Sequence, residues 1–167
     1  MVRSGGLFLI LIGLGLLGAL AFSGAALVNY GVFYVGAGLA VLSLFFASRF
    51  SFGTPRRLQI SALAAAVTLQ AVLFIAMARV LPPGTAEHVK WLWVSIIVGI
   101  HFLPMALCFG PRFLLLGAAL IVNAGVGLWL AAVPYEVFGV VDGLLKVGMG
   151  VWLFSTPAPQ RSRASPR

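Results

Sequence analysis

The chain has 167 residues, of which 62% are hydrophobic and only 8% are charged, with a net charge of +8 and a mean hydropathy of +1.12. Because a water-soluble domain carries charge on roughly a quarter of its residues, this composition excludes a soluble globular protein and indicates an integral membrane protein. The cations lie between apolar runs rather than on one face, which argues against nucleic acid as a partner. The single cysteine, Cys108, excludes an intramolecular disulfide.

Six apolar runs approach or exceed the roughly 20 residues that a helix needs to cross a bilayer. They cover residues 5–22, 26–47, 58–80, 91–109, 113–133 and 137–154. The segments between them are short and rich in Pro, Gly or charged residues, as turns are. Since a backbone in lipid must satisfy its own hydrogen bonds, we predict an all-α integral membrane domain over residues 1–154, with six transmembrane helices arranged as three hairpins.

The distribution of the cations predicts the orientation of these spans. With the N-terminus in the cytoplasm, the inner segments hold eight cations and the outer segments hold two. The inner set is Arg3, Arg49, Arg56, Arg57, Arg112, Arg161, Arg163 and Arg167, and the outer set is Arg79 and Lys90. This asymmetry predicts a plasma- or inner-membrane protein with both termini in the cytoplasm. A cleaved signal peptide is the alternative for the first run, because Arg3 precedes it and Ala19-Leu20-Ala21 follows its apolar centre.

The C-terminal segment, residues 155–167, consists mostly of Ser, Pro, Ala and Arg and contains no large apolar residue. Such a segment cannot bury enough surface to order itself, so we predict a disordered, basic cytoplasmic tail. Its arginines favour contact with anionic lipid over a role as a partner-binding peptide.

Residues 30–39 and 135–144 suggest an internal repeat, because six of their ten positions are identical without a gap. Both segments begin at a predicted outer turn and enter a helix running inward, so the first and third hairpins resemble copies of one unit. The middle hairpin fits this pattern more loosely. A chance match between segments of biased composition is the alternative. The glycines predicted to permit close helix packing are Gly38, Gly99, Gly139 and Gly143.

Five polar side chains lie near the centres of the predicted spans, where lipid-facing helices carry none. They are Gln70, His101, Asn123, Asp142 and Lys146. Asp142 and Lys146 are four residues apart with the acid first, the favourable order for an ion pair within one helix. Similar depths predict one polar layer, which serves either as interhelical adhesion or as a site for conduction or binding.

His101, Met105 and Cys108 share one face of the fourth predicted helix and are residue types that suit a soft metal such as copper. Pro104 lies among them, and Met and Cys are ordinary apolar filling, so we predict no metal and no cofactor. With only three acidic residues in the chain, few acid/base mechanisms are available, and we predict no enzymatic activity.

The sequence therefore favours a noncatalytic multipass membrane protein, acting as a small accessory or assembly subunit or as a homo-oligomer. Its expected partners are membrane lipid and copies of itself or a larger membrane complex. The alternative is a small carrier or channel for protons or a small solute that uses the midplane polar layer. That alternative requires the layer to border a wet cavity.

Overall fold

The computed structural model describes residues 2–21, 35–39, 42 and 57–155, and every regular element in these ranges is helical. Five helices have defined bounds: α1 (Val2–Ala21), α2 (Arg57–Val80), α3 (Glu87–Phe109), α4 (Arg112–Trp129) and α5 (Tyr135–Ser155). Residues 35–39 and 42 are helical as well. Most of the predicted span at residues 26–47, the cations Arg49 and Arg56, and the predicted tail beyond residue 155 lie outside the described residues.

Four of the helices, α2 to α5, are long and apolar enough to cross a membrane. Helix α1 contributes a shorter apolar stretch, Gly5–Ala21. The fold is thus all-helical and consistent with a helical membrane protein, as the composition indicates.

The helix ends differ from the ends of the apolar runs in two places. Helix α3 begins at Glu87, four residues before the predicted span at 91, and the acidic Glu87 in its first turn complements the helix dipole. Helix α4 ends at Trp129 rather than at residue 133, with the Leu130 N–H donating to the Val126 carbonyl at 2.8 Å. Pro134 disfavours helical geometry in the residue before it. Hydropathy marks the part of a helix that prefers lipid, whereas charge and proline determine where the helix begins and ends.

Two groups of turns define the ends of the bundle. The Pro82 end comprises residues 81–86 and 130–134, and the Pro111 end comprises residues 110–111. At the latter, Gly110 has a φ of 104°, a left-handed conformation that favours glycine, and its N–H donates to the Ala106 carbonyl at 2.8 Å. Helix α4 starts immediately afterwards, so α3 and α4 form a tight antiparallel hairpin.

Helices α1 and α5 pack in antiparallel orientation through glycines on both helices. A Cβ on Gly6 would lie 2.6 Å from the Gly150 carbonyl oxygen, and one on Gly13 would lie 2.9 Å from the Gly143 carbonyl oxygen. Helices α3 and α4 approach in the same way, since a Cβ on Gly117 would lie 2.6 Å from the Gly99 carbonyl oxygen. Small residues therefore set the closest helix approaches, as expected where lipid offers no hydrophobic drive for association.

The interior divides into two apolar clusters. The larger one lies toward the Pro111 end and is built around Phe102, Phe109 and Phe113, with Phe109 and Phe113 stacked at a centroid distance of 5.0 Å. The smaller one lies toward the Pro82 end and includes Leu92 and Phe138. The polar side chains of the spans lie at and between these clusters.

Candidate functional site

The Asp142–Lys146 ion pair lies inside the bundle. Asp142 is 2% exposed and Lys146 is 5% exposed, and the Lys146 ammonium contacts Asp142 Oδ1. The other carboxylate oxygen, Oδ2, accepts a hydrogen bond of 2.8 Å from the Ser95 hydroxyl of α3. Both carboxylate oxygens are therefore occupied, and the pair joins α5 to α3.

Helix α1 packs against the ion pair at Lys146. A Cβ on Gly13 would meet the Lys146 Cβ at 3.1 Å, so α1 passes directly over the lysine stem. A single charge at the bilayer centre costs on the order of 2.5 to 3.5 kcal/mol on insertion scales. Pairing within α5 and burial between α1 and α3 keep both charges away from lipid.

His101 of α3 is buried and binds α2. Its Nδ1 lies 2.9 Å from the Ala66 carbonyl oxygen. Because a carbonyl can only accept, Nδ1 carries the hydrogen in this bond, and Nε2 is the ring nitrogen that the bond leaves unused. The Ala66 carbonyl is also in position for the helical bond from the Gln70 N–H, one turn later.

Asn123 joins α4 to the first turn of α5. Its side-chain amide donates a hydrogen bond of 2.9 Å to the Phe138 carbonyl oxygen. Phe138 also lies against Gly127, where a Cβ would meet the phenyl ring at 3.0 Å. This contact is an interhelical hydrogen bond at the smaller apolar cluster.

The five polar residues predicted to form one layer are spread along the bundle axis, although His101 and Lys146 lie within about 3 Å of the same depth. The Asn123 contact lies at Phe138, one helical turn, or about 6 Å, from Asp142 toward the Pro82 end. His101 lies six residues beyond Ser95, or about 9 Å, toward the Pro111 end. Of these five residues, Asp142 and Lys146 bond to each other, Asn123 and His101 bond to backbone carbonyls, and Gln70 lines a cavity.

A cavity of about 460 Å³ lies between α1, α2 and α3. Gln70 and His101 contribute polar groups to its wall, and Ala37 from residues 35–39 also lines it. Phe8, Phe74, Trp91 and Phe102 supply aromatic surface, while Ile12, Val94 and Val98 supply aliphatic surface. Among the described residues that line this cavity, neither member of the Asp142–Lys146 pair appears.

Glu87 and Lys90 also line the cavity, at its Pro82 end. They form a salt bridge of 2.7 Å, and their side chains are 50% and 39% exposed respectively. An exposed pair of this kind contributes little to stability. This salt bridge places a carboxylate and an ammonium group where the cavity approaches the surface.

The four predicted packing glycines differ in their surroundings. A Cβ on Gly99, Gly139 or Gly143 would come within 2.6–2.9 Å of a neighbouring atom, so each of these glycines permits a close approach. A Cβ on Gly38 would meet nothing within 4 Å among the described residues. Gly36, two residues earlier, is the glycine that touches α1, with its added Cβ 2.5 Å from the Gly15 Cα.

Cys108 and Met105 occupy packed positions in α3. The Cys108 thiol donates to the Gln59 carbonyl oxygen at 3.0 Å, and Met105 is 1% exposed in the larger apolar cluster. Within the described ranges, no three His, Cys, Asp or Glu side chains gather as a group that could hold a metal ion.

Ser95 is the site residue that sequence reasoning missed. A serine is common in an apolar span, but the depth of Ser95 in its span matches the depth of Asp142. It lies four residues after Trp91, and Asp142 lies five residues after Val137. Because both predicted spans run inward from the same side, matching these depths places the hydroxyl beside the carboxylate.

The described helices are apolar, bury one ion pair and bond to each other through isolated polar side chains. These features define a small helical protein of membrane type. The chain belongs to a family of unknown function, DUF6609, which matches residues 1–163. The match includes all five helices with defined bounds. Comparisons with curated proteins and with solved structures gave no match.

Proposed function

We propose that the chain is a noncatalytic multipass subunit of the plasma or inner membrane, acting in an assembly with unlike subunits or with copies of itself. The supporting observation is that polar groups in the spans bond to other groups inside the bundle. Asp142 bonds to Lys146 and Ser95, Asn123 bonds to a backbone carbonyl, and His101 does the same. The contacts of Ser95, Asn123 and His101 each join two helices, and the Asp142–Lys146 contact neutralises two buried charges within α5.

The proposed topology has six spans, with both termini in the cytoplasm. Its support is the excess of Lys and Arg in the segments assigned to the inner side. Under this topology the Pro82 end faces outward and the Pro111 end faces the cytoplasm. Arg112 at the latter end lies 4.3 Å from the centroid of the Trp152 ring, a cation–π contact suited to an interface.

A second candidate function is a small carrier or channel. The observation that favours it is the cavity, because His101 and Gln70 lie on its wall. The Asp142–Lys146 pair does not line this cavity, so in this candidate the pair would lie outside the solute path. This candidate shares His101 with the subunit proposal and adds Gln70.

Native mass spectrometry of the tagged chain, extracted in polymer discs from its own membrane, tests the subunit proposal. We expect an unlike subunit at fixed stoichiometry, or a homo-oligomer, as the main species. A lone monomer as the main species would contradict the proposal. Extraction at several polymer ratios provides the control, since a real assembly keeps its stoichiometry while chance co-extraction changes with disc size.

A flux assay on liposomes containing only the purified chain tests the carrier candidate. That candidate predicts movement of protons or solute that falls when Gln70 is replaced by Leu and persists in Gln59→Leu, a control outside the cavity wall. Equal flux in both variants, or in protein-free liposomes, would reject a path through the cavity.

A further inference from the structure

The cavity between α1, α2 and α3 has the size and composition of a small-molecule site. Its volume of about 460 Å³ lies within the range of roughly 300–1,000 Å³ typical of ligand pockets. Its wall is mostly apolar with a few polar groups, the pattern by which such sites hold and orient a ligand. Neither the Asp142–Lys146 contact nor the Asn123 contact requires this space.

The cavity is elongated along one face of α3. Glu87, Trp91, Val94, Val98 and His101 line it at intervals of three or four residues. Fourteen residues separate the first of these from the last, which corresponds to about 21 Å along the helix axis. A ligand would therefore lie along α3 rather than across it.

The end of the cavity at His101, which we call the deep end, offers two hydrogen-bonding groups. Since the His101 Nδ1–H donates to the Ala66 carbonyl, Nε2 of the neutral ring can accept a hydrogen bond. The Gln70 carboxamide, on the same wall, can both donate and accept. A hydroxyl group, which donates one hydrogen bond and accepts others, satisfies both partners at once.

Aromatic side chains line the cavity along its length, so its wall favours an aromatic body. They are Phe8, Phe74, Trp91 and Phe102, with Phe102 next to His101 and Trp91 nearer to Glu87. Aromatic pairs in offset or edge-to-face arrangements gain energy beyond the burial of area. Among the described lining residues the one cation, Lys90, is paired with Glu87 at the far end, so an anionic head at the deep end would have no partner.

We propose that this cavity binds an apolar phenol, with the phenolic hydroxyl donating to His101 Nε2 and accepting from the Gln70 amide. The aromatic ring lies against Phe74 and Phe102, and the apolar remainder extends along Val94 and Val98 toward Trp91. This proposal is separate from the subunit role, which rests on helix contacts that, except for the His101 bond to Ala66, lie outside the cavity. Its failure leaves that role intact.

The test uses 4-octylphenol and its methyl ether, 4-octylanisole, as competitors against a photoreactive diazirine derivative of 4-octylphenol. The full chain is kept in lipid discs, and labelled peptides are mapped by mass spectrometry. The ether has the same body but cannot donate a hydrogen bond. We expect saturable labelling of α2 and α3, with the phenol competing about five- to tenfold better than the ether, the ratio that one neutral hydrogen bond supplies.

Two variants assign the discrimination to the wall. His101→Phe should reduce the preference for the phenol over the ether to less than about twofold, because it removes the acceptor that only the phenol can use. Gln70→Leu removes a donor to which both oxygens can bond, so it should weaken competition by both compounds and leave the preference largely unchanged. Gln59→Leu, which alters a glutamine outside the cavity, should keep the full preference. Since His101→Phe also removes the bond to Ala66, its melting temperature is measured alongside. If that variant does not fold, weaker competition by both compounds in Gln70→Leu than in Gln59→Leu decides the outcome.

Three results would overturn the proposal. The first is equal competition by phenol and ether in the unaltered chain. The second is competition by both compounds that is as strong in Gln70→Leu as in Gln59→Leu. The third is labelling spread equally over α2 and α3 and over the apolar groove of α4 and α5 at Leu115 and Val141, since this would show that the probe reports only partitioning into lipid.

Discussion

Gly6 of α1 and Gly150 of α5 lie so close together that a Cβ built on either would be 2.6 Å from the backbone carbonyl oxygen of the other. No side chain can move aside to relieve this contact, because both sides are backbone. The glycines therefore fix the separation of two helices that are far apart in the sequence. The position of α1 over Lys146 depends on that separation.

Replacement of Gly150 by Ala should destabilise the fold. The added methyl group forces α1 away from α5, and overpacking of this kind costs about 1–3 kcal/mol. The measurement is the free energy of unfolding in mixed micelles.

Gly148→Ala on the same helix is the matched control, because a Cβ there meets nothing within 4 Å among the described residues. It should be neutral or should stabilise by up to about 1 kcal/mol through helix propensity. Equal losses in the two variants would show that α1 and α5 do not pack as described.

Removal of one partner of the buried ion pair should cost more than removal of both. Asp142→Leu leaves the Lys146 charge unpaired inside the bundle, which costs about 3–5 kcal/mol, whereas a second change, Lys146→Leu, should recover most of that loss. Unfolding free energies of the two single variants and the double variant, combined as a cycle, give the coupling.

Glu87→Gln is the matched control for this cycle, since it breaks an ion pair that is half exposed. Its effect should stay below about 1 kcal/mol and shrink with added salt. A double variant as unstable as Asp142→Leu would indicate that the pair contributes more than neutralisation of each charge by the other.

Asn123→Leu should have a small effect. It removes one interhelical hydrogen bond to the Phe138 carbonyl, and such bonds in membrane proteins average about 0.6 kcal/mol and reach about 1.7 kcal/mol. Val122→Ala, at an exposed neighbouring position, should change the unfolding free energy by less than about 0.5 kcal/mol. A loss above about 3 kcal/mol for Asn123→Leu would mean that this amide supports more than one contact.

Labelling of single cysteines should reveal the topology. Cys108→Ser removes the native thiol while keeping a donor for the Gln59 carbonyl. In that background, a membrane-impermeant maleimide should label Pro83→Cys on intact cells. It should label Ser51→Cys and Ser165→Cys only after permeabilisation. Labelling of Ser51→Cys on intact cells would contradict the first predicted hairpin.

Much of the helical content could be predicted from hydropathy, because apolar runs of membrane length have few alternatives to a helix. The bounds of α2 agree with the prediction to within one residue, since basic residues mark its start and prolines follow its end. The start of α3 at Glu87 was beyond this reasoning, because a helix can extend past the apolar segment into polar surroundings.

The candidate site was predictable only where one helix determines the geometry. The Asp142–Lys146 contact follows from a spacing of four residues, whatever the neighbours are. The His101 contact depends on a backbone carbonyl of α2, which every residue carries and no sequence pattern marks. The separation of Asn123 from Asp142 depends on how α4 is shifted along α5, and depth counting within single spans does not fix that shift.

The confinement of the ion pair to one helix has a consequence for biogenesis. During membrane insertion α5 emerges after the other four helices with defined bounds, and a lysine or an aspartate without a partner in its own helix would delay its release into lipid. Because Lys146 and Asp142 neutralise each other within a single turn, α5 can enter the bilayer before it docks. The Ser95 hydroxyl and the glycines of α1 are then needed only for the later step, in which the inserted α5 packs against α3 and α1.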